Sequence, residues 1–334
     1  VSPKLIARQL WIACIAAFAA LCFTAHAEQA VDRASFTNFD IRVSPRQKAA
    51  RPEQRAAHEA LKQRVPGAVV DFDPIFATPK WVQAAGGLLT GENGEGHGVS
   101  KEAATRFEKD SNKALKAFLH EHRRLFRHGP EVLDEAVKKR EHSSGDGLRT
   151  VVWEQQLDGI PVFDSVLVAH TTGKGELISV SSQFVPEPTR AADRGTPNRA
   201  AKALTPVISS EKALRLAAAN VGEEITESTP LDKAAQKTLK QQFKLKLLPG
   251  DASVNLVWLP LDGDTLRLCW QAELTRRELG ERFRFLVDAE TGEILVRRKL
   301  TVEVSEVSYR VYTSDSPSPF SPGFPFPTNG QPPH

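Results

Sequence analysis

Cysteine is almost absent from this chain: Cys14, Cys22 and Cys269 are the only three in 334 residues. The first two fall in the apolar amino-terminal stretch, so one cysteine remains beyond it and a disulfide-stapled scaffold is excluded. Stability has to come from packed cores, and about 300 residues suffice for two domains. A large charge excess is missing too. The formal charge is +3, and removing Lys4 and Arg8 with the first 27 residues lowers it to +1. Such balance argues against nucleic acid or an acidic lipid surface as the main partner. Nor is there a comfortable membrane span, since the longest apolar run, Leu10 to Phe23, is shorter than the roughly 20 residues a helix needs to cross a bilayer.

That run has the three parts of a secretory signal. Lys4 and Arg8 precede it, and Ala25-His26-Ala27 follows as a small-x-small cleavage site, so the mature chain is expected to begin at Glu28. Cys22 does not make a lipoprotein anchor, because Ala19-Ala20-Leu21 puts no small residue beside it. The expected location is secreted or extracellular, or periplasmic in transit, with no membrane attachment after signal removal.

From 28 to 85 five prolines interrupt any period, and a partly ordered lead-in with one short helix near Gln54 to Arg64 is expected. A first module spans 86–185. It opens with a glycine-rich loop from Gly86 to Gly98, followed by a helix capped by Ser100 in which Phe107, Leu115, Phe118, Leu119 and Phe126 recur at helical spacing until Gly129-Pro130. Three strands follow: Val151–Leu157, Val162–Thr171 after an Asp158-Gly159 hairpin turn, and Glu176–Phe184 after Gly173-Lys174-Gly175. Residues 186–206 hold four prolines and no period, as a linker does. The order then repeats over 207–304. A helix capped by Ser209 or Ser210 ends at Gly222, and strands run over Ser253–Leu259, Thr265–Thr275, Glu281–Val287 and Glu293–Val302. In the second of these Leu266, Leu268, Trp270, Ala272 and Leu274 alternate with Arg267, Cys269, Gln271 and Glu273, which places Cys269 on the wet face. The predicted class is α+β, each module a helix packed on an antiparallel sheet. From 305 onward the chain turns proline-rich, with seven prolines between Pro317 and His334, as in a linker leading toward a further domain.

Catalytic patterns are approached and missed. A zinc peptidase places two histidines one helical turn apart with a glutamate beside the first. His58-Glu59 is followed by Lys62 where the second ligand belongs, and His120-Glu121 by Arg124, while His120 and His122 point to different helix faces. Gly173-Lys174-Gly175 lacks the rest of a phosphate loop and is explained by a turn. No nucleophile-elbow serine occurs. Cys269 has no nearby histidine or second cysteine, and Asp288 with Glu290 is explained by turn chemistry better than by calcium. The chain is expected not to be an enzyme on its own, and to carry no catalytic residue, no metal site and no cofactor.

Two stretches resemble a known family. Trp153-Glu154-Gln155-Gln156-Leu157-Asp158-Gly159-Ile160-Pro161-Val162-Phe163, continuing to Gly175-Glu176-Leu177-Ile178-Ser179-Val180, resembles the fungalysin/thermolysin propeptide domain, whose hallmark is a Gln, a turn and Gly-Ile-Pro-Val. Leu256–Pro260, Leu266–Trp270 and Val287-Asp288-Ala289-Glu290-Thr291-Gly292 are similar to the PepSY-type second half of those propeptides. The resemblance implies two cystatin-like modules and gives Gln155, Gly159, Ile160, Pro161, Val162, Asp288 and Gly292 structural roles. It also implies a role: a non-catalytic prodomain, an intramolecular chaperone that assists folding of a secreted fungalysin-type zinc metallopeptidase and occupies its cleft until export. The partner would be the metallopeptidase catalytic domain, in cis or in trans, and zinc would belong to that domain alone. The alternative is a free-standing secreted or periplasmic inhibitor acting in trans. The exit strand near Val302 to Val311 is the segment expected nearest the cleft.

Overall fold

The computed structural model describes residues 36–43, 49–231 and 240–301. Ala25, Ala27, Glu28, the exit strand and the proline-rich end lie outside the described residues. What is described is a mixed α+β fold with one large mixed sheet and few helices.

A short strand β1 (Phe39–Asp40) precedes helix α1 (Pro52–Arg64), which Pro52 opens at a position where the missing amide costs nothing. Strands β2 (Ala68–Phe72) and β3 (Pro79–Ala84) form a hairpin in what the sequence suggested was a partly ordered lead-in. Pro79 is the first residue of its strand, where a proline does not disturb the ladder. The helix expected from Ser100 to Phe126 is three pieces: α2 (Lys101–Arg106), α3 (Lys113–Glu121) and α4 (Arg123–Phe126). Ser100 caps the first by accepting from the Ala103 amide. The break follows from Asp110, whose carboxylate accepts from the Asn112 amide at 2.8 Å and whose carbonyl accepts from that of Lys113 at 3.0 Å.

Strands β4 (Val137–Ser143), β5 (Arg149–Leu157), β6 (Ile160–Thr171) and β7 (Leu177–Ser182) are antiparallel neighbours in that order, and β3 adds to β7. The presumed linker holds α5 (Pro188–Gly195) and α6 (Arg199–Leu204). Pro188 sits at the start of α5, so the residue taken as a breaker is a helix opener, and Ala191 and Ala192 are buried in the core. Helix α7 (Ser210–Ala219) is capped by Ser209, which accepts from the Lys212 amide. Strands β8 (Ser228–Pro230), β9 (Lys240–Leu245), β10 (Asp251–Asp262), β11 (Thr265–Thr275), β12 (Arg282–Asp288) and β13 (Ile294–Lys299) complete the sheet, and β1 returns to pair with β13.

One parallel contact, Trp258 opposite Val162, joins β10 to β6 and makes a single sheet of both halves. Helix α3 covers the first half and α7 the second, each over its own apolar cluster. A third cluster lies on the other face of the second half: Phe163, Val257, Leu259, Cys269, Leu286, Leu295 and Val296. Cys269 is therefore fully buried, against the wet position its alternation suggested. The alternation placed it on the correct side of β11, but that side is not solvent, because this part of the sheet buries both faces.

Candidate functional site

The motif residues around Gln155 come together as a joint inside the molecule. Asp158 and Gly159 turn the chain between β5 and β6 with φ of 55° and 74°, the left-handed values a two-residue hairpin demands. The turn delivers Ile160 and Val162 into the apolar cluster beneath α7, beside Leu157 and Trp258. Pro161 stays half-buried opposite Gln156. Gln155, 2% exposed, reaches the chain leaving β7: its amide nitrogen donates to the Val185 carbonyl at 2.8 Å and its oxygen accepts from the Val185 amide at 2.8 Å. The Ser165 hydroxyl lies within 2.8 Å of that same oxygen and 2.7 Å of the Gln183 carbonyl, and donates to one or the other. These groups satisfy each other, so Gln155 ties the chain leaving β7 to β5 and β6 within the first half.

Asp288 and Gly292 sit apart from them, the first closing β12 and the second in the loop before β13. One Asp288 oxygen accepts from the amides of Glu290 and Thr291, the other from Arg267. That is turn chemistry, as is the φ of 80° at Gly292, where a Cβ would come within 2.9 Å of Leu216. Among the described residues no group of three or more His, Cys, Asp or Glu is placed to hold a metal ion. No described helix is long and apolar enough to cross a membrane.

Two histidines missed as structural groups are buried near α3 and α4. The His122 ring lies 2.8 Å from the Gly98 carbonyl and against Phe118, and burial lowers its pKa to about 4. His128 contacts the Gly129 carbonyl at 3.0 Å, its other ring nitrogen has no partner, and burial again lowers its pKa to about 4. Both are core groups held neutral. On the opposite face, Arg42 and Arg298 stack on the Phe163 ring at 5.5 Å and 4.9 Å and both pair with Asp40 and Asp164. Burial raises the Asp40 pKa, but the two arginines outweigh it and the group stays below its ordinary value.

What remains open to a partner is the outside of the first half. One face of β5 to β7 packs Val151, Trp153, Leu167, Ala169 and Val180 beneath α3. Across the other face runs a register row of Arg140, Val152, Val168, Ser181 and Trp81, exposed at Arg140 and half-buried at the other four. The row ends on β4, exposed at all seven of its residues and, among the described residues, paired only with β5. The periodicity of the sequence did not show this strand, because Val137-Lys138-Lys139-Arg140-Glu141-His142-Ser143 has no apolar alternation. Its signal was the Gly145-Asp146-Gly147 turn just before β5, which a preceding strand would need.

The four strands β4 to β7 fall within a family match. Residues 134–184 match the family described as Fungalysin/Thermolysin Propeptide Motif. This is a propeptide-like region, non-catalytic, and it indicates no catalytic family. No curated protein matches the chain. Among solved structures, the Bacillus megaterium YpeB C-terminal domain aligns with 76% of this chain and 100% of its own length, at 14% sequence identity and a TM-score of 0.28.

Proposed function

We propose that this chain is the non-catalytic prodomain of a secreted zinc metallopeptidase of the fungalysin type, and that it assists folding of the catalytic domain and restrains it by docking against its cleft. The observation that supports this is the coincidence of the propeptide motif, residues 134–184, with four strands, of which β5 to β7 pack one face beneath α3 while β4 is exposed at all seven of its residues. A surface that must bind a protein, and no group that must attack a bond, is what such a role requires. In this reading the two halves are cystatin-like modules. A peptidase that folds over a high barrier gains from a partner that speeds folding and is later removed. An interface of about 1,600 Å² in total would hold it closed. Zinc belongs to the partner, export is directed by the signal ending at Ala27, and the motif residues Gln155, Gly159, Ile160, Pro161, Val162, Asp288 and Gly292 keep the docking surface in shape.

The experiment is inhibition in trans. The purified full chain, shown folded by circular dichroism, is titrated into a mature fungalysin-type metallopeptidase. Saturable slowing of peptide hydrolysis at micromolar concentration is expected, and unaltered hydrolysis with a folded chain would refute the proposal.

A further inference from the structure

We infer that β4 is the docking edge of this molecule, and that its occupant is an extended, acidic segment of the partner, added to the sheet as an antiparallel or parallel strand. The inference rests on the prodomain reading for the identity of the partner, the peptidase, but not for the edge itself. Four described strands stand at sheet edges, and β4 is the longest: β1 has two residues, β8 three with Pro230 among them, and β2 five. An edge strand leaves a row of amide and carbonyl groups unpaired by the sheet, and an incoming strand satisfies them.

The side chains select what comes. Lys138, Lys139 and Arg140 are consecutive, all are exposed, and His142 follows on the outer face with Arg140. The nearby acids are already engaged: Glu141 by Lys138 at 2.5 Å and by Arg149 at 2.8 Å, Glu154 by Lys139 at 2.7 Å. The Glu141 pKa is lowered by the hydrogen bond from Lys138 and then by Arg149. Arg140 has no ion-pair partner among the described residues. Two copies of this edge set side by side would oppose cation to cation, so the charge that attracts an acidic strand repels a second copy. The bulge between Lys138 and Arg140 twists one end away and leaves Arg140 to Ser143 in regular register with β5.

The test uses the full chain and a fluorescein-labelled peptide alternating glutamate with valine and threonine, against the same peptide with lysine for glutamate. Anisotropy is expected to show the glutamate peptide binding about tenfold tighter or better, and weakening as salt rises. Hydrogen exchange is expected to slow at 138–143 and not along β1, β2 or β8. The double variant Lys139→Glu, Arg140→Glu, at two exposed positions, should lose about tenfold or more of that affinity with an unchanged circular dichroism spectrum. Equal binding of the two peptides, protection along another edge, undiminished affinity of the double variant, or no binding at millimolar peptide overturns the inference. The peptidase assay separates it from the wider reading. A double variant that inhibits as well as the natural chain removes the edge and leaves the prodomain standing, whereas a natural chain that fails to inhibit while the peptide seats on β4 removes the peptidase and leaves the edge.

Discussion

The indole N–H of Trp258 donates to the carbonyl oxygen of Leu157 at 3.2 Å, across 101 residues of sequence. The bond lies beside the one parallel contact of the sheet, Trp258 opposite Val162, so the two halves meet through a buried polar group as well as through apolar packing. Because Leu157, Ile160 and Val162 belong to the cluster under α7, the core of the second half is completed by residues of the first. Urea unfolding followed by tryptophan fluorescence and by far-ultraviolet circular dichroism should give one coincident transition. Trp258→Phe removes the donor and part of the ring, and should lower stability by about 2–4 kcal/mol without splitting that transition. Two separated transitions in the natural chain would contradict a shared core.

Gln155 offers a sharper test, because its amide answers both polar groups of Val185. Gln155→Leu keeps the bulk and leaves a buried amide and a buried carbonyl unpaired, at about 1–3 kcal/mol each. A loss of roughly 2–5 kcal/mol in denaturant is expected, with faster hydrogen exchange at Val185 before any part of β7. A variant as stable as the natural chain would mean that the segment finds other partners without strain.

How much of this was legible follows from what periodicity can carry. The alternation in β5 and β11 and the spacing around Phe118 announced half-buried strands and a covering helix, and the capping serines Ser100 and Ser209 stand where the sequence put them. β4 was invisible for the opposite reason: a strand exposed at every residue has no buried face to write into the sequence. Pro188 and Pro79 read as breakers in the sequence, yet they open a helix and a strand. Gln155 was singled out by resemblance, and only the fold shows its partner thirty residues later.

The buried histidines make stability fall in weak acid. For His122 and His128 the folded pKa is about 4 against an ordinary 6.5, so the folded state prefers them neutral. Their stabilisation is whole above pH 6.5 and is lost as pH falls through the window down to about 4, at roughly 3 kcal/mol for each. Burial pushes the Glu121 carboxyl up, but Ser100 and Arg64 outweigh it and hold it below its ordinary 4.5, so its contribution begins to be lost only at the lower end of the histidine window. Urea midpoints measured from pH 7.5 to 4.5 should fall steadily, and His128→Phe should about halve the slope. A flat profile over that range would show that the rings ionise without opening the fold.

Cys269 separates the structure from the simplest reading of its strand. On a wet face the thiol would react with an aromatic disulfide reagent within minutes at pH 8. Buried among Val257, Leu259, Leu286 and Val296, it is out of reach, and burial, with the nearby Asp288 charge, pushes its pKa well above the ordinary value, so little thiolate is present to attack. Reaction in native buffer should proceed no faster than unfolding, and should become immediate in concentrated urea. Substitution gives the matching energetic sign: Cys269→Ala loses some packing, whereas Cys269→Ser sets a hydroxyl in an apolar cluster at about 1–3 kcal/mol. Serine should thus be the more harmful of the two although it is the closer in size. Rapid labelling of the native chain, or a harmless serine, would return Cys269 to solvent and remove the second buried face of the sheet.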